Sequence, residues 1–374
     1  MILGIDASSA AKPNKTGVEW YAYNLIQQFK TRPLAQGERV RLYAPGPLPP
    51  PFGDLPAGWE TSVLPWNLPG WLRLRMGWEM KTNPPDVLFV PAQGLPAFPP
   101  RGPGKATVTT VHDVAFRRLP GLYDAGSRRC LAAAKARALK AATRILTVSE
   151  FSRQEIAQVY KYPADRITVT PLAPGAAYRP HTAEEVNAFR ARYRVGAHYF
   201  LCIGRLEHRK NQLTLVRAFD QFKQRRGVGD PFELVLVGPD GFGASDVRAY
   251  AAAVPSAGSI RFIPYLESDA AAALMAGATA FTFPSAYEGF GIPALEAMAS
   301  GTPLIASDIP PLREAAGDAA LYVSPKEMDA WVEALQRAAT DVPLRAALRE
   351  KGLARVKQFS WEKTADLTWH ALHV

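Results

Sequence analysis

The chain has 374 residues, 48% of them hydrophobic and 21% charged; this is ordinary for a soluble globular protein and too long for one core, so two domains are expected. Its two cysteines, Cys130 and Cys202, exclude a disulfide framework or a cysteine zinc cluster and fit a reducing compartment. The net charge of +10 is unevenly divided: residues 1–180 hold 23 Lys+Arg against 12 Asp+Glu, a balance of +11, and the remainder holds 21 against 22, a balance of −1.

Met1–Asp6 reads as a buried strand. An acid at position 6 and the lack of a basic leader mean that it does not read as a signal peptide. The following loop, Ala7 to Gly17, is small and basic, with Lys12, Lys15 and Thr16 before Gly17. It reads either as a phosphate-facing lid at the start of a helix over Val18–Lys30 or as a plain connector. Val40–Ala44 is the second strand. Pro45–Pro69 and Pro91–Pro103 are proline-rich and are expected to form no ladders. Trp59, Trp66, Trp71 and Trp78 lie near the first of these, and read better as packing beneath loops than as an acceptor-facing surface.

Val87–Val90 and Thr107–Val111 are further strands. The second delivers His112 and Asp113 to its carboxyl end, where His112 serves a sugar hydroxyl or a proton transfer, or is simply structural. Strands Arg144–Val148 and Ile167–Thr170 alternate with helices Ser127–Ala142 and Phe151–Tyr160. That alternation argues for a parallel sheet covered on both faces.

After a Pro/Gly-rich connector over 171–180 the pattern restarts. Tyr199–Ile203, Glu233–Val237, Ser259–Phe262, Ala280–Phe283, Pro303–Ala306 and Ala320–Val323 read as strands. Two Rossmann-like domains with a hinge near 171–195 follow, with ligands expected at the carboxyl ends of their strands. The longest apolar run, Ala270 to Pro284, is shorter than the ~18 residues of a membrane span and divides into a helix and a strand.

The first strand of this second half ends in Gly204-Arg205-Leu-Glu-His-Arg209-Lys210. Arg205 and Lys210 stand where a diphosphate would lie, and both suit phosphate oxygens; a solvated basic turn is the plainer reading. The strongest motif is Glu288-Gly289-Phe290-Gly291-Ile292-Pro293-Ala-Leu-Glu296, ending at Gly301. Glycines let a ligand approach the backbone, Pro293 marks a helix start, and the amides there make an anion site. Eight residues at helical rise span on the order of 12 Å, the scale of a nucleotide sugar. Glu288 is then placed on the sugar and Glu296 on the ribose, with the amides between them on the diphosphate.

No Asp-x-Asp occurs, so no metal bridge to a diphosphate is evident. No Gly-x-Gly-x-x-Gly follows the first strand, which disfavours a nicotinamide or flavin enzyme. The basic first half fits an anionic membrane, a lipid phosphate or nucleic acid, yet no nucleic-acid motif is present and none is expected as a partner.

Together these motifs, with Val148-Ser-Glu-Phe-Ser152 and Phe359-Ser-Trp361, resemble glycosyltransferase family 4 of the two-domain GT-B fold. The stretches Val87–Pro91 and Val111–Phe116 are similar to O-antigen and exopolysaccharide mannosyltransferases. The resemblance implies an α/β protein with two Rossmann-like domains facing across a cleft. Residues 1–180 would bind the acceptor and residues 181–358 the donor, with a terminal helix, about Trp361–Val374 within residues 359–374, crossing back to the first domain. It implies a retaining, metal-independent hexosyltransferase with no cofactor. Its donor would be a nucleotide sugar (GDP-mannose as first choice, a UDP-sugar as the alternative) and its acceptor a saccharide or lipid-linked saccharide. By resemblance Arg205 and Lys210 neutralise the diphosphate, Glu288 and His112 meet the donor sugar, Glu296 meets the ribose, and Gly17 meets a phosphate. Gly204, Gly289, Phe290, Gly291 and Ile292 would line the donor. The expected place is the cytoplasm, with the inner face of the membrane as a peripheral station. A GT-B epimerase or phosphorylase and a non-catalytic basic binding protein are the competing readings.

Overall fold

The computed structural model describes residues 1–92, 94–227 and 229–373. The chain divides into two compact units: Met1–Arg117 with Ala125–Leu172 and Ser360–Val374, and Arg118–Asp124 with Ala173–Phe359.

The first unit is built on a parallel sheet. Its strands are β1 (Ile2–Asp6), β2 (Arg39–Ala44), β3 (Trp59–Val63), β4 (Val87–Val90), β5 (Ala106–Thr110), β6 (Arg144–Thr147) and β7 (Ile167–Val169), in the order β3-β2-β1-β4-β5-β6-β7. The central strands are buried on both faces, which is why they read as unbroken apolar runs. The sequence reading denied a ladder to 45–69, yet β3 pairs in parallel with β2 from Val40↔Trp59 to Ala44↔Val63. The prolines fall outside it, at Pro56 and Pro65, and β3 is an edge strand, where proline-flanked segments are tolerated. The tryptophans divide. Trp59 is buried, Trp66 and Trp71 are half-buried, and Trp78 is exposed.

The second unit holds β8 (Tyr199–Ile203), β9 (Glu233–Val237), β10 (Ile260–Ile263), β11 (Ala280–Phe283), β12 (Leu304–Ser307) and β13 (Ala320–Val323), all parallel, in the order β10-β9-β8-β11-β12-β13. Its core joins Phe200, Phe219, Phe222 and Phe232 with Trp331. Ala270–Pro284 does divide, into helix Ser268–Ala276 and β11. Among the described residues no helix is long and apolar enough to cross a membrane.

The last helix, Trp361–Leu372, is capped by Ser360, whose side chain accepts from the Lys363 amide at 3.1 Å. It packs on the first unit: Trp369 meets Phe29 edge-on at 5.0 Å, and the buried Tyr21 hydroxyl bonds Thr110, Thr170 and Thr368. Val374, which the sequence reading placed in this helix, lies outside the described residues.

Candidate functional site

In the second unit the strand order reverses between β8 and β11, and the crevice beyond their carboxyl ends is where such sheets bind ligands. The loop after β8 carries Gly204 to Lys210 and the loop after β11 carries Pro284 to Gly291, so both motifs converge on that point. A close approach of backbones shapes it. A Cβ on Gly238, after β9, would lie 2.2 Å from the Gly204 carbonyl oxygen, so no larger residue fits there.

The centre is a compact charge cluster. Lys210 Nζ lies 2.7 Å from Glu288 Oε1, and Arg209 Nη1 lies 3.2 Å from Glu288 Oε2. Arg209 also donates to the Tyr287 carbonyl at 2.8 Å and to Glu207 Oε1 at 2.7 Å, while its own carbonyl accepts from the Ala286 amide at 2.9 Å. The two loops are thus stitched by backbone and side chain together. Lys210 Nζ also sits 5.2 Å over the Phe283 ring. Burial pushes the Glu288 carboxyl up, but the Lys210 and Arg209 charges outweigh it, and its pKa falls below the usual range. Lys210 is therefore a counter-ion of Glu288. Arg205 is exposed and has no carboxylate partner among the described residues; its stem lies against Gly241. Arg209 carried no distinguishing signal within its basic run.

Helix Ile292–Ala299 starts after Gly291, whose φ of 111° suits glycine alone; a Cβ there would also meet Leu312 at 2.5 Å. Ile292 heads the helix and Pro293 stands second. The helix ends on paired turns at Gly301, with Gly301 N–H to Met298 and Thr302 N–H to Ala297. Only Glu296 belongs to this helix, with Glu288 four residues before it. The span reckoned as eight helical residues does not hold. The Phe290 side chain is buried against Phe359 at 5.9 Å, so Phe290 offers a ligand its backbone alone.

Burial raises the Glu296 pKa to about 8, against a lowering by its hydrogen bond with the Tyr178 hydroxyl, so at neutral pH the carboxyl is largely protonated. Tyr178 comes from the connector, where no periodicity marks it.

In the first unit, His112 follows β5 and is buried. Its Nε2 lies 3.0 Å from the Pro91 carbonyl, so that nitrogen carries the proton and Nδ1 remains an acceptor. Burial lowers its pKa to about 4, so the ring is neutral at pH 7 and a poor base. Tyr21 packs edge-on against it at 4.9 Å, and Ser152, of the 148–152 motif, donates to the His112 carbonyl at 3.2 Å. Buried Lys135 hydrogen-bonds the Asp113 carbonyl and lies 3.4 Å from its carboxylate. Its place on the apolar stripe with Ala138 and Leu139 was the available signal. Gly17 opens helix Gly17–Lys30, one turn before Tyr21, so its amide lacks an intrahelical acceptor. Glu19 accepts the Thr16 amide at 3.1 Å and pairs with Lys12 at 2.8 Å, which folds the first loop onto the helix start.

The model for glycosyl transferases group 1 matches residues 185–355, and that for Glycosyltransferase Family 4 matches residues 15–173. The O-antigen chain mannosyltransferase B of Escherichia coli is 35% identical over 265 residues, 71% of this chain and 69% of that protein. The serotype-specific mannosyltransferase WbdA of Escherichia coli is 27% identical over 226 residues, 60% of this chain but 28% of the relative's length. Among solved structures, WaaG, a glycosyltransferase involved in lipopolysaccharide biosynthesis, superposes with a TM-score of 0.74 at 16% identity, covering 100% of this chain and 99% of that one. HepE of Anabaena in complex with UDP-glucose gives 0.73 at 17% identity over 100% and 99% of the two chains. At such identities these structures speak for the GT-B fold.

Proposed function

The chain belongs to glycosyltransferase family 4, and from that premise we propose that it is a retaining, metal-independent hexosyltransferase of polysaccharide biosynthesis that uses GDP-mannose. The observation that carries the reading is the Lys210–Glu288–Arg209 cluster at the β8/β11 switch point, beside the start of helix Ile292–Ala299. Two relatives named as mannosyltransferases support the choice of sugar. A UDP-sugar is the alternative.

Each residue has a part suited to its chemistry. Glu288, kept ionised by two cations, accepts hydrogen bonds from donor-sugar hydroxyls. Lys210 and Arg205 balance the diphosphate as the glycosidic bond to phosphate breaks, and the amides after Gly289 and Gly291 add donors. Glu296, protonated in the free protein, can donate to and accept from the ribose diol. Neutral His112 offers Nδ1 to a sugar hydroxyl, with Lys135 fixing the Asp113 backbone beside it. Gly17 offers its amide to a phosphate. The reaction is a same-face substitution in which the departing diphosphate takes the acceptor proton, so positioning and charge neutralisation do the work.

The acceptor is a saccharide, carried on a lipid in this reading, and the first unit meets an anionic membrane surface. Five exposed apolar side chains, Val63, Leu68, Leu74, Trp78 and Phe98, fall between residues 63 and 98, and Lys81 lies over both the Trp78 and Phe98 rings. Between residues 61 and 105 the balance is five Lys+Arg to two Asp+Glu. Thermal shift with GDP, UDP, ADP and their sugars tests the donor, because a ligand stabilises by mass action. GDP-mannose should give the largest shift, and GDP should be released only when acceptor is present. A larger shift with UDP-sugars would replace the donor; release without acceptor would sink transfer.

A further inference from the structure

A cavity of about 520 Å³ opens on the second unit at the opposite end of its sheet from the donor loops. Its floor is made by His198, Phe232, Thr279 and Pro303, the residues immediately before β8, β9, β11 and β12. It is therefore about one strand length, ~15 Å, from the carboxyl-end crevice. Its size suits a small-molecule ligand.

The charge lining it is one-sided. Arg226, Arg345 and Arg349 face it and none of its lining residues is acidic. Arg226 is balanced by Asp230, 2.5 Å away. Arg345 and Arg349 have no carboxylate partner among the described residues. Both are already held in place. Arg345 Nη1 donates to the carbonyls of Ala338 at 2.7 Å and Ala339 at 3.1 Å, and Arg349 Nη1 donates to the Gly301 carbonyl at 2.7 Å. They stand four apart on helix Val342–Val356, one turn above the other. A guanidinium has five N–H donors, so each keeps donors beyond these bonds, and the ordering entropy of both side chains is spent before any ligand arrives.

We propose that this cavity is a second, non-catalytic binding site for a small phosphate-bearing anion, held by Arg345 and Arg349. A phosphate group matches the paired forks, and the remaining volume admits a phosphorylated sugar. Because Arg349 also holds Gly301, the anion would rest against the end of the helix that carries Glu296.

The test is calorimetric titration of the whole chain with orthophosphate and, separately, a hexose 6-phosphate, in saturating nucleoside diphosphate so that the donor crevice is filled. The wild type should show one saturable event. Ala346→Glu keeps both arginines but places a carboxylate on the cavity wall beside them, where it competes with an anion for their charge; it should weaken the event at least 10-fold and leave basal transfer and Tm unchanged. Arg345→Gln should weaken it several-fold. Tighter binding of the hexose phosphate marks a phosphorylated sugar as the occupant, and equal binding marks the inorganic anion. No saturable event, or one that Ala346→Glu leaves unchanged, overturns the proposal. If the nucleotide itself fails to bind, the donor assignment falls while the effect of Ala346→Glu still decides this one.

Discussion

Lys210 and Glu288 form a 2.7 Å ion pair with both side chains largely buried, and the Lys210 ammonium lies over the Phe283 ring. The lysine comes from the loop after β8 and the glutamate from the loop after β11, 78 residues later. The pair keeps the carboxylate ionised against burial, which alone would raise its pKa.

Lys210→Ala should strand Glu288 with Arg209 alone. Removing one member of a buried pair costs about 3 kcal/mol, and losing a charge stabiliser from the reaction costs about 10²–10³-fold in rate. The double variant Lys210→Met/Glu288→Gln should regain much of the stability and none of the transfer. Denaturant unfolding and a nucleotide-release assay measure the two. Recovery of both together would show that the pair is structural.

Glu296 has a folded pKa of about 8 against an ordinary 4.5. Its stabilising contribution is complete below about pH 4.5, and declines as pH rises through 8, because the unfolded chain ionises first. Glu296→Gln should flatten that decline, which is at most about 1.4 kcal/mol per pH unit. Urea midpoints between pH 5 and 8 for both proteins supply the comparison.

His112 runs the other way. Its folded pKa is about 4 against 6.5, so stability is lost as pH falls from about 6.5 towards 4. Its ring resonances should not titrate near pH 6.5 by NMR. The pH profile of transfer should lack a limb there that His112→Gln removes.

Gly291→Ala puts a methyl at φ 111° and 2.5 Å from Leu312. A cost of about 2 kcal/mol is expected from strain and overpacking. Nucleotide affinity should fall with it, since this residue sets the helix start. A wild-type Tm in the alanine variant would refute the conformational requirement.

Trp78→Ser with Phe98→Ser should cut sedimentation with anionic vesicles at least several-fold and leave binding of free nucleotide intact. Unchanged sedimentation would remove this patch as the membrane contact.

Much of the fold was legible because parallel strands buried on both faces leave solid apolar runs. Tyr199–Ile203 and Ala280–Phe283 were read to the residue. β3 was hidden because Trp-Glu-Thr-Ser-Val sits between prolines at an edge, where half of its face is polar and no run forms. Within the site, residues in a motif were readable: Gly204, Lys210, Glu288, Gly291. Their pairing was not, because the motif gives positions along the chain and the Lys210–Glu288 contact depends on which strands are neighbours. Tyr178 and Lys135 act on Glu296 and Asp113 from segments with no motif at all. Their partners come from the folded chain; for Lys135 only a place on an apolar stripe was legible beforehand.

The packing of helix Trp361–Leu372 has a consequence for how the molecule is made. Trp369 covers Phe29, and Thr368 completes the hydrogen bonding of Tyr21. The first unit therefore cannot finish folding as its own 170 or so residues leave the ribosome. It must wait, with an apolar groove open, while nearly 190 residues of the second unit are synthesised, and it closes only when helix Trp361–Leu372 appears. A stop codon near 360 would thus do its damage at the opposite end of the sequence.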